Sequence, residues 1–206
     1  MTVYLIDHDD SFTQNIRAWL SSHFAVHVFH HTQLENKSFF SEILNTSIDA
    51  ESDLNKFFIL SPGPKSPQDY PQSLLFLEKM KSENPTVPIL GICLGMQMMN
   101  LVEGGRVAPY TPPLHGKTSA LKMLDFDLKN SDQLNNLKVA RYHSLYCQAS
   151  KEFKILATCE EKPMIITHNK YPWLGLQFHP ESFLTDKPDL HLNFLKNWLK
   201  THATRH

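Results

Sequence analysis

Apolar residues fall in short runs along the chain, separated by polar turns, and the spacing within each run alternates between strand-like and helix-like. Val3 to Ile6 predicts a strand, Asp7-His8-Asp9-Asp10-Ser11 a polar turn with side chains suited to helix capping, and Phe12 to His23 a helix. Phe24 to Phe29 alternates as a second strand, so the opening is strand, helix, strand, the start of a parallel α/β sheet. Residues 32 to 55 are polar, with weak helical periodicity around Phe39 to Leu44. Lys56 to Leu60 is a buried strand running into the proline-rich loop Ser61 to Pro67, and Leu74 to Met80 carries a helical stripe.

The stretch from Val87 to Val102, VPILGICLGMQMMNLV, joins an apolar strand over Pro88 to Ile92 to a buried helix pattern across Cys93. From Gly104 onward the texture is strands and turns: Gly105 to Val107, Thr118 to Met123, Lys138 to Tyr142, Ile155 to Thr158, Met164 to Thr167 and Trp173 to Phe178. Antiparallel additions to the sheet are expected from the first three of these, and a helix over Leu190 to Leu199 closes the pattern.

The 206 residues carry no linker or internal repeat, so one domain over 1–206 is expected. A formal charge of -1 excludes a general electrostatic footprint for nucleic acid or an anionic membrane. No apolar run approaches the ~20 residues of a membrane span, and no signal-like start is present, so a cytoplasmic setting is expected. Cys93, Cys147 and Cys159 lack metal-type spacing and suit reduced thiols. His23, His27, His30 and His31 cluster in sequence without a nearby carboxylate or cysteine and are read as surface groups, with no metal assigned.

Cys93 is the chemical centre of the pattern. Gly91 and Gly95 permit a sharp strand-to-helix turn that presents a nucleophile, and the Leu94 amide is placed to donate to a developing oxyanion. A buried core cysteine between packing glycines is the alternative. In the loop after Lys56 to Leu60, prolines cannot donate, so Gly63 is the amide that can approach a ligand closely. His179-Pro180-Glu181 should be extended, putting imidazole and carboxylate on one side, a base with its orienter. If the strands before Cys93 and His179 run parallel in one sheet, the two meet above its carboxyl edge.

Together LIDHDDSFTQN at 5–15, LSPGP at 60–64, PILGICLGMQ at 88–97, HGKTS at 115–119, RYHSL at 141–145 and GLQFHPESFLT at 175–185 resemble the class I, triad-type glutamine amidotransferases. Within that family the chain is most similar to the small components of anthranilate synthase and aminodeoxychorismate synthase. The resemblance implies a central mixed, largely parallel sheet flanked by helices. It also implies a Cys93, His179, Glu181 triad, oxyanion amides from Gly63 and Leu94, and glutamine held by Gly63, Pro64, Lys65, Gln97, Ser144 and Leu145. L-Glutamine is the implied substrate, with no cofactor, and the implied partner is a chorismate-using synthase subunit. The alternatives are a glutaminase serving another synthase, a stand-alone hydrolase of γ-glutamyl amides, and a non-catalytic assembly subunit. Three positions depart from the common family pattern: His8 for Asn, Met96 for His and Lys65 for Gly. A positive φ at Lys65 would carry strain on the order of 1 kcal/mol.

Overall fold

The computed structural model describes residues 1–36, 38, 39, 43 and 56–203. The expected helical segment around Phe39 to Leu44 therefore falls mostly outside the described residues.

Among these residues one eight-stranded sheet dominates. Its first part comprises β1 (Thr2–Asp7), β2 (Ala25–His30), β3 (Lys56–Leu60), β4 (Ile89–Ile92) and β12 (Trp173–Leu176), all parallel. The remainder, β11 (Lys162–His168), β10 (Phe153–Cys159) and β7 (Lys122–Met123), adds on antiparallel. Across the sheet the order is β2-β1-β3-β4-β12-β11-β10-β7.

Alternation along the strands sorts the core into two layers. Leu5, Phe57, Ile59, Leu90 and Ile92 pack on one face with α1 (Thr13–Ser21) and α4 (Pro188–Ala203). Ile6, Phe58, Leu60 and Ile89 pack on the other with α2 (Pro71–Glu83) and α3 (Leu94–Val102). On α4, Leu192, Leu195, Trp198 and Leu199 are all buried, each contributing ~1.5–3 kcal/mol.

Several expectations need adjustment. Thr118 to Met123 splits at Leu121 into β6 (Lys117–Ala120) and β7, and only β7 joins the large sheet. β6 pairs with β8 (Lys138–Arg141), while β5 (Arg106–Pro109) pairs with β9 (Leu145–Gln148), giving two antiparallel ribbons instead of sheet extensions. β5, β6 and β9 consist mostly of exposed and half-buried positions and lack the continuous apolar face of a central strand, while β8, paired with β6 and bridged to His179, is mostly buried. The α1 start is not capped by a side chain; Asp10 instead accepts from Phe12 N at 2.8 Å, and Asp7 accepts from Thr13 Oγ1 at 2.7 Å.

Candidate active site

β4 and β12 are parallel neighbours with Ile92 opposite Leu176, so the residues that follow them leave the sheet side by side. Cys93 follows Ile92 directly. Its φ of 50 and ψ of -99 make the sharp elbow before α3, a conformation that costs a non-glycine residue ~1–3 kcal/mol. The elbow is pinned by Cys93 N donating to Leu176 O at 2.7 Å. Close packing explains the glycines: a Cβ at Gly91 would lie 2.5 Å from the Gly95 carbonyl carbon.

On the neighbouring strand the chain continues through Gln177 to His179. Gln177 Nε2 donates to Cys93 Sγ at 3.6 Å. His179 forms an antiparallel bridge with Ala140 of β8, its N–H donating to Ala140 O at 3.1 Å. Its ring is braced by Phe12 and Tyr142 at centroid distances of 5.2 and 5.1 Å.

His179 Nδ1 bonds Glu181 Oε1 at 2.7 Å, with both side chains buried. The extended expectation holds only to His179. Pro180 and Glu181 enter a turn closed by Ser182 N donating to His179 O at 3.2 Å, and this turn brings the carboxylate back to the ring. Burial opposes protonation of His179, but the Glu181 carboxylate and the adjoining Cys93 sulfur outweigh it and raise its pKa to about 10. At neutral pH the imidazolium is therefore the favoured form. Asp10 lies within electrostatic reach of His179 and Glu181; burial pushes its own carboxyl upward.

A cleft of about 180 Å³ opens beside Cys93 and Leu94, and Gly63, Pro64, Lys65, Gln97, Ser144 and Leu145 all line it. A larger hollow of about 550 Å³ runs along Glu103–Arg106 and Gln148–Lys151 and includes none of these groups. Gly63 sits so close to the elbow that a Cβ there would meet Leu94 Cδ2 at 2.5 Å and His8 O at 3.0 Å. Gln97 Nε2 reaches Leu145 O and Gln177 Oε1, each at 3.3 Å, tying α3 to the wall of the cleft.

Residues given no role from the sequence complete the frame. His143 lines the cleft, and its Nδ1 donates to Leu145 O at 2.7 Å. Arg141 Nε donates to His143 Nε2 at 3.2 Å, which fixes that tautomer. Burial, then the Arg141 charge, lowers the His143 pKa to about 4, so the ring is neutral. Arg141 itself is fully buried and bonded to Ser119 and Glu160. Gln177 and Arg141 each stand inside motifs visible in the sequence, but neither residue type announces a role without its neighbours in space.

The three family departures have distinct settings. His8 is buried and neutral, its pKa lowered to about 3 chiefly by burial. Ser61 Oγ donates to Pro62 O at 2.7 Å, so it accepts from His8 Nδ1 at 3.1 Å, and His8 Nε2 in turn accepts from Ser73 Oγ at 2.9 Å. The imidazole thus clamps the strand end to the Ser61-Pro62-Gly63 loop. Met96 is fully buried against β12, where a Cβ on Gly175 would lie 2.8 Å from Met96 Cγ, so it serves the core. Lys65 is exposed and is not among the described non-glycine residues with positive φ, so the anticipated strain is absent.

Among the described residues, Asp9 joins His30 and His31 in a cluster whose potential ligand atoms all lie within 4.8 Å of one another. The carboxylate that the local sequence lacks thus arrives from the end of β1.

Comparison with known proteins shows the family and the fold. The family described as Glutamine amidotransferase class-I matches residues 4–198. "Anthranilate synthase component 2, pyocyanine specific" of Pseudomonas aeruginosa is 35% identical over 190 residues, covering 90% of this chain and 88% of its own. "Anthranilate synthase component 2" of Haemophilus influenzae is 34% identical over 198 residues, covering 96% and 97%. "Aminodeoxychorismate/anthranilate synthase component 2" of Bacillus subtilis is 33% identical over 209 residues, covering 97% and 96%. The crystal structure of a glutamine amidotransferase from Thermotoga maritima superposes with TM-score 0.66 at 18% identity, covering 98% of this chain and 81% of that one, a likeness of fold.

Proposed function

The chain belongs to the class I glutamine amidotransferase family, and from that membership we propose that residues 1–206 act as the cytosolic glutaminase component of a chorismate-using synthase. The relatives named as component 2 of anthranilate or aminodeoxychorismate synthase support that partner. The observation that carries the chemistry is the parallel register of β4 and β12, which delivers Cys93 and His179 to one edge of the sheet.

In this reading Cys93, as thiolate beside the His179 imidazolium, attacks the carboxamide carbon of glutamine. The C=O electrons move onto oxygen, where amides of Gly63 and Leu94 donate to the oxyanion; one such donor typically contributes ~3 kcal/mol to lowering the barrier. Collapse breaks the C–N bond, and His179 Nε2 gives its proton to the departing ammonia. Nδ1 remains bonded to Glu181, which stabilises the imidazolium and fixes ring orientation. Water, deprotonated by the now neutral His179, then cleaves the γ-glutamyl thioester and releases glutamate. Gln97, with the Leu145 carbonyl and the Gly63-Pro64-Lys65 segment, forms the wall that holds the amino acid end of glutamine. Ammonia passes to the partner synthase, which carries the chorismate chemistry.

The test is Cys93→Ala in the complex with the partner synthase. Glutamine-dependent product should disappear while ammonia-dependent synthesis persists, and anthranilate or aminodeoxychorismate as the product identifies the partner's reaction. Undiminished glutamine use by the variant overturns the nucleophile assignment.

A further inference from the structure

A second cluster of reactive side chains lies on the same edge of the sheet and has no part in glutamine hydrolysis. β1 and β2 are parallel with Asp7 opposite His30, so Asp9 and the pair His30, His31 leave the sheet side by side. His30 Nε2 stands 2.8 Å from Asp9 Oδ1, and His31 Nε2 stands 3.4 Å from Asp9 Oδ2. We propose that Asp9, His30 and His31 form a binding site for a divalent transition-metal cation of the zinc class, with three protein ligands and one open position.

The donor set is what zinc prefers and what magnesium or calcium avoid, two imidazole nitrogens and one carboxylate. Bonds of about 2.0–2.2 Å in a tetrahedron place neighbouring ligand atoms about 3.3 Å apart. The three donors already lie within 4.8 Å of one another, so side-chain adjustments of about an ångström close the shell. A single dication replaces the protons through which the two rings otherwise share one carboxylate.

The rings are held in different ways, His30 by a polar partner at its far nitrogen, as metal-binding imidazoles usually are, and His31 by ring packing alone. His30 Nδ1 is paired with Thr32 Oγ1 at 2.8 Å, which directs Nε2 outward to Asp9. The His31 ring is stacked parallel to His8 at 5.6 Å and meets the Tyr70 ring edge-on at 4.9 Å. His31 Nδ1 is buried without a partner among the described residues, so a cation at Nε2, which leaves the ring proton on Nδ1, binds at the cost of one buried unpaired N–H. Asp9 and His30 are half exposed, leaving an approach path and room for water as fourth ligand.

Titration of the full chain carrying Cys93→Ala, so that the thiol cannot compete, tests the site. Zn2+ should bind one ion per chain in the micromolar range by calorimetry, and Co2+ should give the visible absorption of a tetrahedral site that Zn2+ bleaches. Asp9→Asn, His30→Gln and His31→Gln should each weaken binding at least tenfold. The exposed His30 can be changed without disturbing the core, so His30→Gln carries the test if another variant fails to fold. Absence of saturable Zn2+ binding, or affinity unchanged in His30→Gln, overturns the proposal.

Discussion

His179 Nδ1 and Glu181 Oε1 lie 2.7 Å apart inside the protein, and the pairing reverses the effect that burial alone would have on the imidazole. With Glu181→Gln the hydrogen bond can persist while the charge is lost. The His179 pKa should then fall from about 10, moving the alkaline limb of the kcat/KM profile to lower pH. Glutaminase turnover of the complex should drop by ~10²–10⁴, in the range seen when a triad carboxylate is neutralised. An unmoved alkaline limb would show that another group sets it.

Gly63→Ala tests the loop opposite the elbow. The added Cβ would strike Leu94 Cδ2 at 2.5 Å and His8 O at 3.0 Å, so the loop must retreat from the elbow and carry its amide out of line with that of Leu94. Stability should fall by about 1–3 kcal/mol from overpacking. Turnover should fall by ~10²–10³ with a smaller change in KM, because the lost interaction belongs to the transition state. Wild-type kcat in this variant would remove Gly63 from the oxyanion site.

Acid should weaken the fold through three histidines buried as neutral rings. Burial lowers the pKa of His8 to about 3, and of His143 and His191 to about 4. The unfolded chain takes protons near the ordinary value of about 6.5 while the folded chain refuses them. Their contribution is therefore complete above pH ~6.5 and lost as pH falls toward 4, at up to ~1.4 kcal/mol per unit for each group. His179 has the opposite sign: its contribution is complete below ~6.5 and is lost as pH rises through about 10. Urea unfolding across this range should show the acid slope, and His191→Gln should reduce it by one proton; an equal slope in that variant would contradict the assignment.

The parallel half of the sheet is readable in the sequence because β3, β4 and β12 are apolar on both faces, while β2 alternates as an edge strand does. The proposed triad is readable for a local reason: glycines around Cys93 permit a sharp turn there, and the proline between His179 and Glu181 holds His179 extended. The ribbons escape such reading because half-exposed strands such as Arg106–Pro109 look alike whether they extend a sheet or pair apart. Gln177, His143 and Arg141 act through contacts that span 84, 2 and 19 to 22 residues respectively. Even the shortest of these depends on a turn whose direction no periodicity encodes. The carboxylate for His30 and His31 is hidden in the same way, 21 residues before His30 in the chain.

The elbow at Cys93, with its φ of 50, has an evolutionary consequence. Glycine is the residue that this backbone would hold at least conformational cost, so selection for robustness alone would drift position 93 away from cysteine. In the proposed chemistry, a thiol at this position exchanges folding margin for reactivity. Descendants released from glutamine chemistry should lose it early.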